Sequence, residues 1–138
     1  MIKKRTIVYV DGFNLYYGCL KKTSYKWLDL KALFSNLLDT SNEIVKIKYY
    51  TAYISSRNND DSHLRQKYYL QALEKYIPEI EIHYGHYLTH IIRAKVANPP
   101  PSFIDVFKTE EKGSDVNLAL HLLKDVTQDL HLNLFLLF

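Results

Sequence analysis

Residues 6–18, "TIVYVDGFNLYYG", contain the pattern of a buried strand, a turn and a helix start. Its apolar part, Ile7–Val10, is β-branched or aromatic and predicts a buried strand. Gly12 then lets the chain turn, and Asn14 is a favoured residue at a helix start. Asp11 is therefore expected at the carboxyl end of a central strand, at the edge where open α/β sheets bind ligands. A carboxylate in that place is costly unless a cation meets it.

Length and composition favour one soluble domain. At 138 residues the chain can build one core but not two, so residues 1–138 are interpreted as a single domain. The net charge of +3 is compatible with a polyanionic partner. The single cysteine, Cys19, excludes an internal disulfide and fits a reducing compartment. Neither a signal peptide nor an apolar run of roughly 20 residues is present, so we expect a cytoplasmic protein with no membrane contact.

The remaining chain alternates predicted strands and helices. Further strands are predicted at 43–54, 79–88 and 131–138, with "FIDVF" at 103–107 as a short edge strand. The last of them, "HLNLFLLF", is expected to be central or near-central in the sheet. A helix starting near Ser114 is predicted to turn four residues inward: Val116, Leu120, Leu123 and Val126. This order predicts a three-layer α/β/α fold with a mainly parallel central sheet.

Two carboxylates at junctions between predicted elements, Asp11 and Asp115, are the candidate functional residues. Capping and interaction with the helix dipole, worth about 0.3–1 kcal/mol, explain Asp115 without any ligand. The turn explains Gly12 and Asn14 but not an acid on the last residue of a buried strand. Two acids with an amide oxygen suit a hard cation such as Mg²⁺ or Mn²⁺. One cysteine and six dispersed histidines argue against zinc.

Other chemistries of α/β sheets lack their motifs. The turn after the first strand reads "DGFNLYYG" rather than the G-x-G-x-x-G of a dinucleotide-binding turn. The G-K-S or G-K-T of a phosphate-binding loop and the G-x-S-x-G of a nucleophile elbow are also missing. We therefore expect no nucleotide cofactor.

Aromatic and basic residues follow the Asp11 turn. Tyr16, Tyr17, Tyr25 and Trp27 lie among three lysines, which suits stacking and backbone contacts with single-stranded nucleic acid. Half-buried tyrosines beside solvated lysines explain the same pattern equally well. The basic residues expected to position the phosphate backbone are Arg65 and Lys112, with Arg93 and Lys95 as further candidates on a predicted loop. Three histidines are interpreted as surface or partly packed residues: His83, His86 and His90.

Taken together, "VYVDGFNLYYG", "YYTAYIS", "LRQKYYLQAL", "IEIHYGHYL" and "VFKTEEKGSDVNLALHLL" resemble the NYN-domain proteins, the LabA-like branch of the PIN-like nuclease superfamily. The resemblance runs in order over nearly the whole chain. It implies a PIN-like fold and a Mg²⁺- or Mn²⁺-dependent ribonuclease (a hydrolase) acting on single-stranded or structured RNA. It also implies that Asp11 and Asp115 are metal ligands, and that Asn14 orients Asp11 or the bound water.

The resemblance ends before the family's last acidic motif, S-N-D-S-D or S-G-D-S-D. We therefore expect an incomplete domain whose metal site is weakened. Three hypotheses follow: a metal-dependent ribonuclease, a module that binds RNA or a nucleotide without cleaving it, and a partner-binding fragment. In the third, the exposed C-terminal strand would form a homo-oligomer or another protein interface.

Overall fold

Four parallel strands in the order β3-β2-β1-β6 form the central sheet. The computed structural model describes residues 2–54 and 61–137. The first half of the chain comprises β1 (Lys4–Asp11), α1 (Gly12–Leu15) with a π-helical continuation (Tyr16–Leu20), α2 (Leu30–Leu37), β2 (Asn42–Thr51) and α3 (Ser62–Tyr76). The second half comprises β3 (Ile80–Tyr84), β4 (His86–Lys95), β5 (Phe103–Lys112), α4 (Ser114–Gln128) and β6 (Asn133–Leu137). No described helix is long and apolar enough to cross a membrane.

The sheet is covered by helices on both faces. On one face, Val8, Val10 and Ile47 share a core with side chains of the first three helices, including Phe34 and Leu70. On the other face, a smaller core packs α4 against the sheet: Ile7, Tyr9, Tyr50 and Leu118, with Leu122 beside them. The α/β class and the mainly parallel sheet predicted from the sequence are confirmed.

The position predicted for the last strand is wrong. Pairing in the described chain places β6 beside β1 only, from Thr6 opposite Asn133 to Val10 opposite Leu137. It is therefore an edge strand of the sheet, and β1 and β2 are the central strands.

A polar network lies beneath α4. The Tyr9 hydroxyl donates to Asp125, and the Lys48 ammonium pairs with the same carboxylate. Further along the helix, the Tyr50 hydroxyl and His121 Nδ1 lie 3.0 Å apart. These contacts give Tyr9, Lys48 and Tyr50 partners on α4, and so they fix how the helix is rotated.

The predicted inward face of α4 is wrong for this reason. Val116, Leu120, Leu123 and Val126 are exposed. The residues that contact the sheet are instead Leu118, His121, Leu122 and Asp125. The helix turns a mixed polar and apolar stripe inward because the strands beneath it present Tyr9, Lys48 and Tyr50.

The sequence at 79–88 is not one strand. It divides at Gly85, so that β3 stays in the parallel sheet and β4 leaves to form an antiparallel hairpin with β5. The short edge strand expected at 103–107 is the first half of the ten-residue β5. Arg93 and Lys95, expected on a loop, lie in β4.

Gly85 is the point where the chain passes from the sheet to the hairpin. Its N–H donates to the Thr51 carbonyl (2.7 Å). A Cβ at this position would lie 2.2 Å from Glu111 Oε1 and 2.8 Å from the Lys112 carbonyl oxygen. The hairpin base and the start of α4 can approach β3 only because residue 85 has no side chain.

We expect Gly85→Ala to lower the free energy of unfolding by about 1–3 kcal/mol, as overpacking does. Gly18→Ala is the matched control, because a Cβ at Gly18 meets nothing within 4 Å. That variant should be neutral or gain about 0.4–1 kcal/mol. Urea unfolding measures both, and equal stability of the two variants would contradict the close approach described for Gly85.

The pH dependence of stability follows from His83. Its ring stacks on Tyr50 with centroids 5.0 Å apart and meets the His121 ring edge at 4.3 Å. Burial, with help from His121 and Lys48, lowers the pKa of His83 below its usual 6.5, although Glu81 opposes the shift. The unfolded chain therefore takes up this proton more readily than the folded one, and stability should fall as the pH drops from about 6.5.

His83→Gln should flatten this dependence, whereas His90→Gln, on an exposed position of β4, should leave it unchanged. Urea unfolding at about pH 7.5 and pH 5.5 provides the comparison. A wild-type stability that is constant over this range, or rises on acidification, would contradict the assignment.

Candidate metal and nucleic-acid site

Asp11 is the last residue of β1 and is 6% exposed. The Asn14 backbone N–H donates to its Oδ1 (2.9 Å), and the Asn14 side-chain amide donates to its Oδ2 (2.8 Å). The strand thus ends on the residue that caps the following helix. Each carboxylate oxygen accepts one hydrogen bond and retains a further lone pair for a ligand.

Asp11, Asn14 and Asp115 line one cleft of about 310 Å³ at the carboxyl edge of the sheet. The sequence predicted these three site residues, and the structure brings them together because the end of β1 and the start of α4 meet there. Glu111 and Ser114 complete the polar wall. An adjoining cleft of about 410 Å³ shares the same three residues and continues over apolar side chains of α4 and β6.

The residues that line the cleft carry an excess of negative charge. Burial raises the pKa of Asp11 above its usual 3.8, and the negative charges of Asp115 and Glu111 raise it further. Hydrogen bonds from the Asn14 and Phe13 backbones oppose this shift without cancelling it. No lysine or arginine is among the described residues that line the cleft. A bound cation would therefore relieve the repulsion between these carboxylates.

Glu111, rather than Asp115, makes the cap of α4. Its two carboxylate oxygens accept from the Ser114 N–H (3.0 Å) and the Ser114 hydroxyl (2.8 Å). Asp115 follows in the first turn, where a negative charge still complements the helix dipole. Asp115 was open to two explanations from the sequence, a helix cap or a ligand. The hydrogen bonds that hold the start of α4 are made by Glu111, whereas the Asp115 side chain is exposed and lines the cleft.

The donor set fits a hard, partly hydrated cation. Within residues 2–54 and 61–137, no three His, Cys, Asp and Glu side chains are placed to ligate one ion together. The cleft offers two candidate ligands, Asp11 and Asp115, and an amide that orients the first of them. Mg²⁺ is commonly held by one or two carboxylates and completes its shell with water, so two acids are sufficient for it.

An aromatic wall faces the acids. Phe13 stacks on Tyr17 with ring centroids 6.3 Å apart and meets the edge of Tyr87 at 5.9 Å. The Lys21 ammonium lies 5.0 Å from the centre of the Tyr17 ring. Sequence reasoning missed Phe13 and Tyr87 as lining residues. The position of Phe13 between Asp11 and Asn14 could have indicated that it lines the cleft. No feature of the sequence around Tyr87 indicates that it lies beside them.

The other predicted nucleic-acid residues are more scattered. Tyr17 lines the cleft, whereas Tyr16 packs against the main core and Trp27 meets Tyr69 edge-on at 6.1 Å. Tyr25 is exposed and is not among the residues that line the cleft. The histidines divide as expected: His83 is partly packed, and His86 and His90 are exposed on β4.

Neither predicted phosphate-binding cation lines the cleft. Arg65 is exposed near the start of α3. Lys112 ends β5 beside Glu111, and its ammonium lies 3.2 Å from Glu110. Both remain predictions as RNA contacts.

Comparison with known proteins gives one informative similarity. No protein-family model and no solved structure matches the chain. The chain is 40% identical over 147 residues to 6-hydroxy-3-succinoylpyridine 3-monooxygenase HspA of Pseudomonas putida (strain DSM 28022 / S16). The match covers 88% of this chain and 47% of that protein, so the chain spans about half the length of this relative. The relative is, by its name, an enzyme.

Proposed function

We propose that this chain is a PIN-like NYN ribonuclease that hydrolyses RNA phosphodiester bonds with Mg²⁺ or Mn²⁺ held at Asp11 and Asp115. One observation supports this above the others. A buried carboxylate with a raised pKa shares a cleft with two further carboxylates and no described cation. Such an arrangement is costly for folding and useful for binding a divalent ion, and perturbed carboxylates in clefts mark functional sites.

The chain's own residues have distinct tasks in this proposal. Asp11 and Asp115 would hold the ion, which when bound polarises a phosphoryl oxygen and lowers the pKa of a bound water. Asn14 fixes the orientation of Asp11 through two hydrogen bonds. Glu111 holds the start of α4 and thereby the position of Asp115. Phe13, Tyr17 and Tyr87 offer ring faces on which an unpaired base would stack.

A module that binds RNA or a nucleotide without cleaving it is the second candidate. It is favoured by the absence, in the described part of the chain, of three carboxylate or imidazole side chains placed around one ion. Fewer protein ligands mean weaker binding of a hard cation and a less firmly held water. The same aromatic wall would serve binding alone.

The name of the relative points to a third reaction, the oxygenation of a substituted pyridine. The aromatic wall would accept a heteroaromatic ring as well as a nucleobase. The relative is about twice as long as the part matched here, so the named activity belongs to that whole protein. For this chain it is the competing outcome of the assays below.

We expect the wild-type chain to cleave a labelled single-stranded oligoribonucleotide in the presence of Mn²⁺. Asp11→Asn should reduce the rate by about 100-fold or more, and Asn14→Ala by about 10- to 100-fold, as for partners that orient a metal ligand. Glu110→Gln is the control, because Glu110 pairs with Lys108 and Lys112 and does not line the cleft.

Three results would count against cleavage at this site. RNA binding without cleavage would identify the binding module. Hydroxylation of a hydroxypyridine by the purified chain, when it is supplied with O₂ and a two-electron reductant, would favour the third reaction. Cleavage that survives Asp11→Asn would place the chemistry elsewhere.

Metal binding is tested separately from activity by thermal unfolding. Mn²⁺ should raise the melting temperature of the wild type, with a gain of about 2.7 kcal/mol at 100 times Kd. Asp11→Asn and Asp115→Asn should each diminish this gain, whereas Glu110→Gln should not. Because the pKa of Asp11 is raised above its usual 3.8, protons compete with the ion at a higher pH than for an ordinary aspartate, and the gain should shrink on acidification. A gain that is equal in all variants would contradict a metal at these acids.

A further inference from the structure

The β4–β5 hairpin is a second, two-stranded sheet that projects from the base of the cleft. Its ten-residue strands pair from His86 opposite Lys112 to Lys95 opposite Phe103. A hairpin with no third strand is marginally stable in water. Nevertheless it exposes five large apolar side chains, each 45–76% accessible: Leu88, Ile91, Phe103, Ile104 and Phe107. Such a surface suits a partner.

Only one of the two faces of the hairpin contains residues that line the Asp11 cleft. Residues opposite each other in an antiparallel pair lie on the same face, and alternate pairs share it. Tyr87 lies opposite Glu111, and both line the Asp11 cleft. The next pair on this face, Thr89 and Thr109, joins its hydroxyls at 3.0 Å. We term the face that contains these odd-numbered residues the cleft face.

The residue types on the cleft face change from polar to apolar and then to basic with distance from the acids. Beyond the threonines, Ile91 lies opposite Phe107, which is 76% exposed. The two cations, Arg93 and Lys95, lie farthest from the acids. The Arg93 guanidinium is 5.7 Å from the centre of the Phe103 ring, and Lys95 lies opposite Phe103 in the strand pair. Exposed rings interleaved with cations are what the bases and backbone of a single strand require.

Two acids on the cleft face limit its charge. Asp105 lies opposite Arg93, and Glu111 at the base is engaged by Ser114. The outer half of the face therefore has two cations and one acid. Its attraction for a phosphate backbone is moderate, and stacking on the exposed rings must contribute much of the affinity.

The charged residues of the opposite face form one cluster. Lys108 and Lys112 both pair with Glu110, at 2.6 and 3.2 Å, and they hold the pKa of Glu110 at about 2. None of these residues lines the Asp11 cleft. The opposite face thus has the same balance of two cations and one acid as the outer half of the cleft face, but it contains no Phe, Tyr or Trp and no residue that lines the cleft, and it supplies matched controls.

We propose that the cleft face of the β4–β5 hairpin binds single-stranded RNA that extends out of the Asp11 cleft. Bases would stack on Phe107 and Phe103, and phosphates would contact Arg93 and Lys95. This inference rests on the proposed function for its choice of ligand. From the 87–111 pair to the 95–103 pair the face extends about 27 Å, long enough for several nucleotides beyond the cleft.

The test compares binding of labelled oligouridylates of about 4 and about 12 nucleotides by fluorescence anisotropy without divalent ions. Phe107→Ala should weaken binding of the longer RNA by roughly 30-fold, the middle of the range for one stacked base. Lys95→Gln should reduce the slope of log K against log salt by about 0.7, the value for one phosphate contact with a single strand. Binding of the short RNA should change less than twofold.

Leu88→Ala and Lys108→Gln, on the opposite face, are the controls and should leave both RNAs unaffected. Circular dichroism and the melting temperature establish that all four variants fold. Equal effects on the two faces, or equal effects on the two RNA lengths, would overturn the proposal. So would a Phe107→Ala variant that changes the sedimentation coefficient but not RNA affinity, because the face would then join two protein chains.

Failure of this inference is distinguishable from failure of the proposed function. Mn²⁺-dependent cleavage of the short RNA that is unaffected by Phe107→Ala, with no advantage in binding the longer RNA, would retain the nuclease and overturn the hairpin surface. Face-specific binding of the longer RNA without any cleavage would support the hairpin surface and overturn the nuclease.

Discussion

Two hydrogen bonds from Asn14 to Asp11 set the geometry on which the site depends. They end the central strand, begin the first helix and hold a buried carboxylate that no described cation in the cleft neutralises. The remaining site is arranged around that charge. Glu111 holds the start of α4 so that Asp115 faces the same cleft, and the aromatic wall closes the other side. A divalent ion would convert this repulsion into an attraction, so that metal binding at these acids would also stabilise the fold.

Much of the fold and the centre of the site could be predicted from local sequence. A β-branched run ending in Asp-Gly-Phe-Asn identifies a strand, its end and a helix start, and parallel strands bring such ends to one edge. The reason for Gly12 differs from the one expected. A Cβ at Gly12 would lie 2.6 Å from the Tyr49 ring, so the residue is required by close packing against β2 rather than by a turn. The sequence thus indicated that glycine matters at position 12, but contact with Tyr49 explains why.

The features that escaped prediction depend on contacts between distant segments. The rotation of α4 follows from Asp125 and His121 meeting Tyr9 and Tyr50, and the more hydrophobic stripe of the helix remains outside. Gly85 separates two strands because Glu111, 26 positions later, occupies the space where its side chain would be. Tyr87 joins the cleft only as a result of that separation. Periodicity reports the apolar face of an element, but it does not report which partner lies beneath it.

The pairing of β1 with β6 also determines when the acidic cleft is assembled. Thr6 lies opposite Asn133, and Arg5 bonds to Asp129 at 3.0 Å across 124 positions of the chain. Pairing so distant in sequence has a large loop-closure entropy and slows folding. During synthesis the first strand leaves the ribosome with one of its two sheet neighbours still to be made. The two acids therefore meet late, and a nascent chain has the Asp11 turn long before it has the second carboxylate.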